Sequence, residues 1–136
     1  MRSKGTVVVK IGSSCMFQPD GRASLSNLAR LAETIAKLSK LWERVVLVSS
    51  GAIALGRQHL NTTLVPQSIA EKQALASVGQ LYLMNLYKGF LDQLDLTVGQ
   101  VLVSKSDFGD AVRNENILNT FAGGVTTHPK PIASKD

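Results

Sequence analysis

Apolar residues fall along this chain in two kinds of run. In the first kind they are continuous. Residues 6–11 (TVVVKI), 45–49 (VVLVS) and 97–103 (TVGQVLV) read as strands, the first two without polar alternation. Unbroken apolar runs predict strands buried on both faces, the habit of parallel sheets covered by helices. In the second kind the apolar positions recur at steps of three and four. Leu28, Leu31, Ile35, Leu38 and Trp42 form one such stripe and predict a helix over 24–42, which Ser24 or Ser26 can cap. Ser68 followed by Glu71 is a capping box, and it opens a long helix reaching about Leu94. The early part of that helix carries Ala70, Ala74, Ala76, Ser77 and Gly79, small enough for close approach to another helix or to the sheet.

Between these elements the punctuation is clear. Ser49-Ser50-Gly51 opens a short helix through Ala52, Ile53, Ala54 and Leu55, expected to stop near Gly56. Residues 61–67 (NTTLVPQ) read as a loop. A more polar helix starts near Asp107, with Ser104 or Ser106 as its cap. The stretch from 122 onward diverges from the rest. Two glycines end the preceding helix, and Pro131-Ile132-Ala133 offers thin support for a short fourth strand. Residues 1–136 read as a single domain, with no linker or repeat before that tail. Strands alternating with helices predict an α/β fold, three layers deep, around a mainly parallel sheet.

Ligands of such sheets bind beyond the carboxyl ends of the strands, and Lys10, Ser50 and Ser104-Lys105 all fall there. Lys10 ends an apolar strand, and a buried ammonium must meet an anion or lose its proton. Gly12, Ser13 and Ser14 follow at once, and their amides can converge on phosphate oxygens. A snorkelling or internally paired lysine is an equally good reading of this motif taken alone. Ser50, Gly51 and Ala52 make a second turn of the same kind at a helix N-terminus, where the helix dipole favours negative charge. Alone it also reads as a plain helix cap. Two such turns on adjacent strands suit two anions side by side, the requirement for moving a phosphoryl group onto an acid.

Composition narrows the class without changing this picture. Of 136 residues, 44% are hydrophobic and 18% charged, an ordinary globular balance. The formal charge of +5 comes from scattered lysines and arginines, and aromatics at 5% are too few for a base-stacking platform, so nucleic acid is not an expected partner. No apolar run approaches the ~20 residues of a membrane span. The first residues show no signal-peptide layout, and Cys15 has no second cysteine to pair with, so a cytoplasmic setting is expected. Other motifs fail: there is no GxxxxGK[ST] and no GxGxxG after a strand, which counts against P-loop enzymes and dinucleotide-dependent oxidoreductases. Asp107-Phe108-Gly109 lacks the other protein-kinase elements. His59 and His128 have no companions at metal-ligand spacing, so no metal-ligating side chains are assigned, and Cys15 has no base beside it.

Taken together, VVVKIGSS (7–14), VVLVSSGAIALG (45–56), AEKQALASVGQ (70–80), GQVLVSKSDF (99–108) and NILNT (116–120) resemble the amino-acid kinase family, in its glutamate-phosphorylating branch. The Ser-Ser-Gly-Ala-Ile-Ala turn and the Ala-Ser-Val-Gly-Gln helix favour that branch over those acting on aspartate, carbamate or acetylglutamate. The resemblance implies ATP with Mg²⁺ as cofactors, L-glutamate as acceptor, glutamyl 5-phosphate as product and a place at the start of proline synthesis. It implies that Lys10 is catalytic and contacts the ATP phosphates beside Gly12, Ser13 and Ser14, and that Ser50, Gly51 and Ala52 hold glutamate. Asp136 stands near the position of the family's glutamate-binding aspartate, although the asparagines expected around it are absent. Proline as a feedback inhibitor would be sought at 61–67 and around Asp107, and a homo-oligomer is expected. The family's adenine pocket and second catalytic lysine lie in a later half that these residues do not match. The expected object is therefore the acceptor-binding part of such a kinase. The alternative is a non-catalytic glutamate- or proline-binding or interaction module of the same fold.

Overall fold

The order of strands across the sheet is not their order along the chain. In the computed structural model, which describes residues 3–63, 65–103, 105–122 and 130–135, β1 (Ser3–Ile11), β2 (Trp42–Ser49), β3 (Val98–Val103) and β4 (Lys130–Lys135) pair in parallel as β1-β2-β4-β3. The helices are α1 (Ser13–Met16), α2 (Leu25–Leu41), α3 (Ala52–His59), α4 (Ile69–Asp92), α5 (Lys105–Gly109) and α6 (Ala111–Ala122). Right-handed crossovers assign the layers. The steps β1 to β2 and β2 to β3 run in one direction across the sheet, so α2, α3 and α4 share a face. The step from β3 to β4 runs back, which sends α5 and α6 to the other face. The result is the expected three-layer α/β/α fold.

The core lies between the sheet and the first layer. Leu28, Leu31, Ala32 and Ile35 of α2 meet Val45 and Leu47 of β2 and Leu83, Tyr87 and Leu91 of α4. Parallel register sets Val7 beside Val45, Val9 beside Leu47 and Ile11 beside Ser49, so one face of β1 joins this core. The other face does not: Val8 is 61% exposed and Lys10 is exposed. The expectation of a doubly buried first strand, and of a buried Lys10 ammonium, is thereby corrected. β1 is an edge strand. A run of valines is apolar on both faces whether or not both are covered, so its pattern could not report the difference.

Close helix contact carries the second part of the architecture. A Cβ added to Gly56 would overlap the Leu75 carbonyl, and one added to Gly79 would overlap the Ala52 carbonyl. The small residues of α4 thus serve contact with α3. Gly56 does not stop α3, which continues to His59. It is a point of approach rather than a terminator. The Ser68 capping box forms as read: the Ser68 hydroxyl accepts from the Glu71 amide (3.1 Å), and Glu71 accepts from the amides of Ser68 (3.1 Å) and Gln67 (2.6 Å). Those backbone donors hold the Glu71 carboxyl below its ordinary range. Ser24 is the N-cap of α2, yet its hydroxyl lies 3.4 Å from that of Ser26 instead of capping the backbone.

β4 is the strand with thin sequence support, and it takes an interior place. Its pairing with β2 begins at Ile132, opposite Leu47, while Pro131 is matched to Gly99 of β3. Pro131 therefore lies where β4 is paired on one side only. Among the described residues no helix is long and apolar enough to cross a membrane.

Candidate active site at the carboxyl edge of the sheet

β1 and β2 end side by side, Ile11 in register with Ser49. The Ser50 amide donates to the Ile11 carbonyl at 3.4 Å. This contact ties the last residue of β1 to the turn after β2. Gly12 is the N-cap of α1, with the Cys15 amide on its carbonyl (3.1 Å) and the Phe17 amide on that of Ser13 (2.9 Å). The Gly12-Ser13-Ser14 segment is therefore the start of a helical turn. Amides at such a start have no intrahelical acceptor, and Ser13 and Ser14 are exposed at this edge.

The second turn is held from three sides. Gly51 is the N-cap of α3 at φ +126°, a region that favours glycine, and its carbonyl accepts from the Leu55 amide at 3.0 Å. The Phe17 ring occupies the space where a Gly51 Cβ would lie. Beneath, Ser49 is 1% exposed and donates its hydroxyl to the Ser50 carbonyl at 3.1 Å. Its only proton thus spent, Ser49 accepts from the buried Tyr87 hydroxyl of α4. Burial pushes the Tyr87 phenol upward, and the Ser49 contact opposes that in part. On the far side Ala52 is 2% exposed and backed by Gly79.

Lys10 stands one residue before this junction, in register with Val48, on the face opposite Ile11 and Ser49. Among the described residues no carboxylate lies within ion-pair distance of it. The structure thus brings Lys10, Gly12, Ser13, Ser14, Ser50, Gly51 and Ala52 to one edge. Asp136, Ser104 and His128 lie outside the described residues. Asp107 is on α5 and pairs with Arg113 of α6 at 3.5 Å. Cys15 is exposed, and its carbonyl accepts from the Asn27 side chain at 2.8 Å. His59 stacks on Tyr82 with ring centres 3.3 Å apart. Among the described residues no group of three or more His, Cys, Asp or Glu is arranged to hold a metal ion.

A cleft of about 720 Å³ opens beside the two turns. Ser13 and Ser14 line it, together with the Phe17–Gly21 turn, Ala54 and Arg57 of α3, and the loop from Asn61 to Thr63. Ser50, Gly51 and Ala52 are not in its lining, so it adjoins the second turn without containing it. Sequence reasoning missed Arg57, because it ended the helix at Gly56. A helical pattern continued by one residue would have put Arg57 on the Ala54 face.

Residues 5–129 match the model of the amino acid kinase family. Glutamate 5-kinase of Nostoc sp. is 45% identical over 117 residues, covering 85% of this chain and 31% of the relative. That of Rippkaea orientalis is 37% identical over 134 residues, covering 98% of this chain and 36% of the relative. The chain thus spans about a third of the length of these curated relatives. Its fold is similar to that in X-ray structures of isopentenyl phosphate kinase, with a TM-score of 0.61 at 15% identity, over 96% of this chain and 56% of that one.

Proposed function

Because this chain belongs to the amino acid kinase family, we propose that it forms the acceptor-binding part of an ATP-dependent phosphotransferase that phosphorylates the side-chain carboxylate of L-glutamate to L-glutamyl 5-phosphate, the first step of proline synthesis. The similarity to glutamate 5-kinases supports the choice of glutamate. The observation that supports the reading is the Ser50 amide on the Ile11 carbonyl, which sets the residue before Gly12 beside the turn that starts at Ser50.

The nucleotide and Mg²⁺ fit this edge to different degrees. For the phosphates the edge offers the exposed Lys10 and the leading amides of α1. Mg²⁺ holds mostly to phosphate oxygens and water and takes one or two protein carboxylates, so it would arrive with the nucleotide. Bound ATP supplies the phosphoryl group; the residues of this chain supply place and charge. The first turn and Lys10 oppose the negative charge of the phosphates, and the Ser50-Gly51-Ala52 turn holds the acceptor carboxylate beside them. A glutamate side chain, with a pKa near ~4.3, is ionised at neutral pH, so the site needs no general base. Both reactants are anions, and most of the catalytic task in this part of the molecule is to hold them together.

The test is a titration of the ¹⁵N-labelled chain. Inorganic phosphate is expected to shift the amides of Gly12, Ser13 and Ser14, and L-glutamate those of Gly51 and Ala52. Lys10→Met should weaken phosphate binding and leave glutamate binding in place. Failure of both ligands to move either set of amides at millimolar concentration would overturn the reading.

A further inference from the structure

Resting on that reading, we propose that Ser49 and Tyr87 are positioning residues for the acceptor: together they hold the Ser50–Gly51 peptide so that its N–H faces outward as a donor to the acceptor carboxylate. The observation is which backbone groups of this turn are taken and which is left. The Ser50 N–H donates to the Ile11 carbonyl at 3.4 Å, the Ser50 carbonyl accepts from the Ser49 hydroxyl at 3.1 Å, and the Gly51 carbonyl accepts from the Leu55 amide at 3.0 Å. No described residue accepts from the Gly51 N–H. The other backbone polar groups of the two residues are pinned inside the fold, and the one left over is a donor, the kind of group a carboxylate requires.

Covalent geometry gives that donor its direction. Among the described residues every peptide bond is trans, and in a trans peptide the N–H points opposite to the C=O. The Ser50 carbonyl points at the hydroxyl of Ser49, which is 1% exposed on the core side of β2. The Gly51 N–H of the same peptide therefore points away from the core. Gly51 at φ +126° lets the peptide take this orientation, but a glycine lets it leave as easily, so the hold must come from elsewhere. Ser49 has one proton to give, and it reaches the Ser50 carbonyl only if the other partner of Ser49 is a donor. Tyr87, 2% exposed, is that donor. A phenylalanine would fill the same space and leave the Ser49 hydroxyl free to turn away. Tyr87 thus sets the sense of a hydrogen-bond chain that runs from α4 through the end of β2 to the site. On the other side the Phe17 ring stands where a Gly51 Cβ would lie, so the turn is held between the two.

The experiment uses the full ¹⁵N-labelled chain, with L-glutamate and inorganic phosphate as the two probes. In the free wild-type chain the Gly51 amide, corrected for its intrinsic rate, should exchange with solvent about tenfold faster than the Ser50 amide, which is bonded to Ile11. Ser49→Ala should weaken glutamate binding about tenfold and shrink the shift at Gly51, as for a displaced donor to a charged ligand, while phosphate still shifts Gly12–Ser14 as before. Tyr87→Phe should weaken glutamate binding about threefold, and Ser49→Thr, which keeps the hydroxyl, should bind within about twofold of the wild type. A merely structural role would lower stability without separating the two ligands, or threonine from alanine. A Gly51 amide as protected as that of Ser50, or an unchanged glutamate affinity in Ser49→Ala, overturns the inference, the first whether or not any variant folds. If glutamate still moves Gly51 and Ala52 of the wild type in that case, the acceptor reading stands and the roles of Ser49 and Tyr87 alone are lost. If glutamate leaves those wild-type amides unmoved, both fall.

Discussion

Gly79 of α4 lies against the Ala52 carbonyl of α3 so closely that a methyl group between them would overlap the oxygen. Ala52 is the first residue of α3 and part of the candidate acceptor turn. The small-residue stripe of α4 is therefore a device that fixes where the site's second turn stands. Gly79→Ala should push the helices apart and cost about 1–3 kcal/mol, the usual range for overpacking, measured by denaturant unfolding. Gly89, on the same helix, has nothing within 4 Å of its added Cβ. Gly89→Ala should instead stabilise by about 0.5–1 kcal/mol, since alanine restricts the unfolded chain and favours helix. Opposite signs at two glycines of one helix would confirm that contact with α3 decides the first.

Tyr87 reaches through the core to Ser49, directly beneath Ser50. Tyr87→Phe should cost about 0.5–1.5 kcal/mol, the net worth of an ordinary hydrogen bond. A pH signature accompanies it. The folded phenol is raised above its ordinary value of 10.0. The unfolded state therefore ionises first, and the Tyr87 contribution is full below that value and lost as pH rises through the folded pKa. Stability measured by chemical denaturation should fall more steeply above pH ~10 in the wild type than in Tyr87→Phe.

Lys10 is exposed on the open face of an edge strand. Lys10→Met should change folding stability by no more than about 0.5 kcal/mol, as surface substitutions do. A large loss of stability would mean that the ammonium is paired within the fold, contrary to a role toward phosphate. Unfolding curves with and without inorganic phosphate separate the two, because ligand stabilisation should shrink in the variant.

At the start of α4, Ser68→Ala should cost about 1 kcal/mol through the lost cap. The Glu71 carboxyl is depressed by the amides of Ser68 and Gln67. Its contribution is present above the unfolded carboxyl pKa and lost as pH falls through the folded one. A ¹³C titration of the Glu71 carboxyl should find it below its ordinary value of 4.5, and Ser68→Ala should move it partway back.

Much of this protein was settled locally and was legible in its residues. The α2 stripe, the Ser68–Glu71 capping box and the glycine-serine turns after two apolar strands each depend on neighbours a few positions away, where side-chain spacing and backbone chemistry act directly. Parallel topology also followed, because alternating strands and helices leave few other packings. Tertiary structure alone decided which face of β1 is covered, since valine repeats look the same on an edge strand as in a sheet interior. It decided that β4 enters between β2 and β3, where Pro131 meets one neighbour, and that Gly56 marks an approach to Leu75 instead of a helix end. It also decided what fills the ground between the two turns: Phe17 against Gly51, Tyr87 under Ser49, and Arg57 in the adjoining cleft. Each of those contacts joins residues far apart in the chain, and such pairings depend on shape and burial, which exist only once the layers have closed on one another.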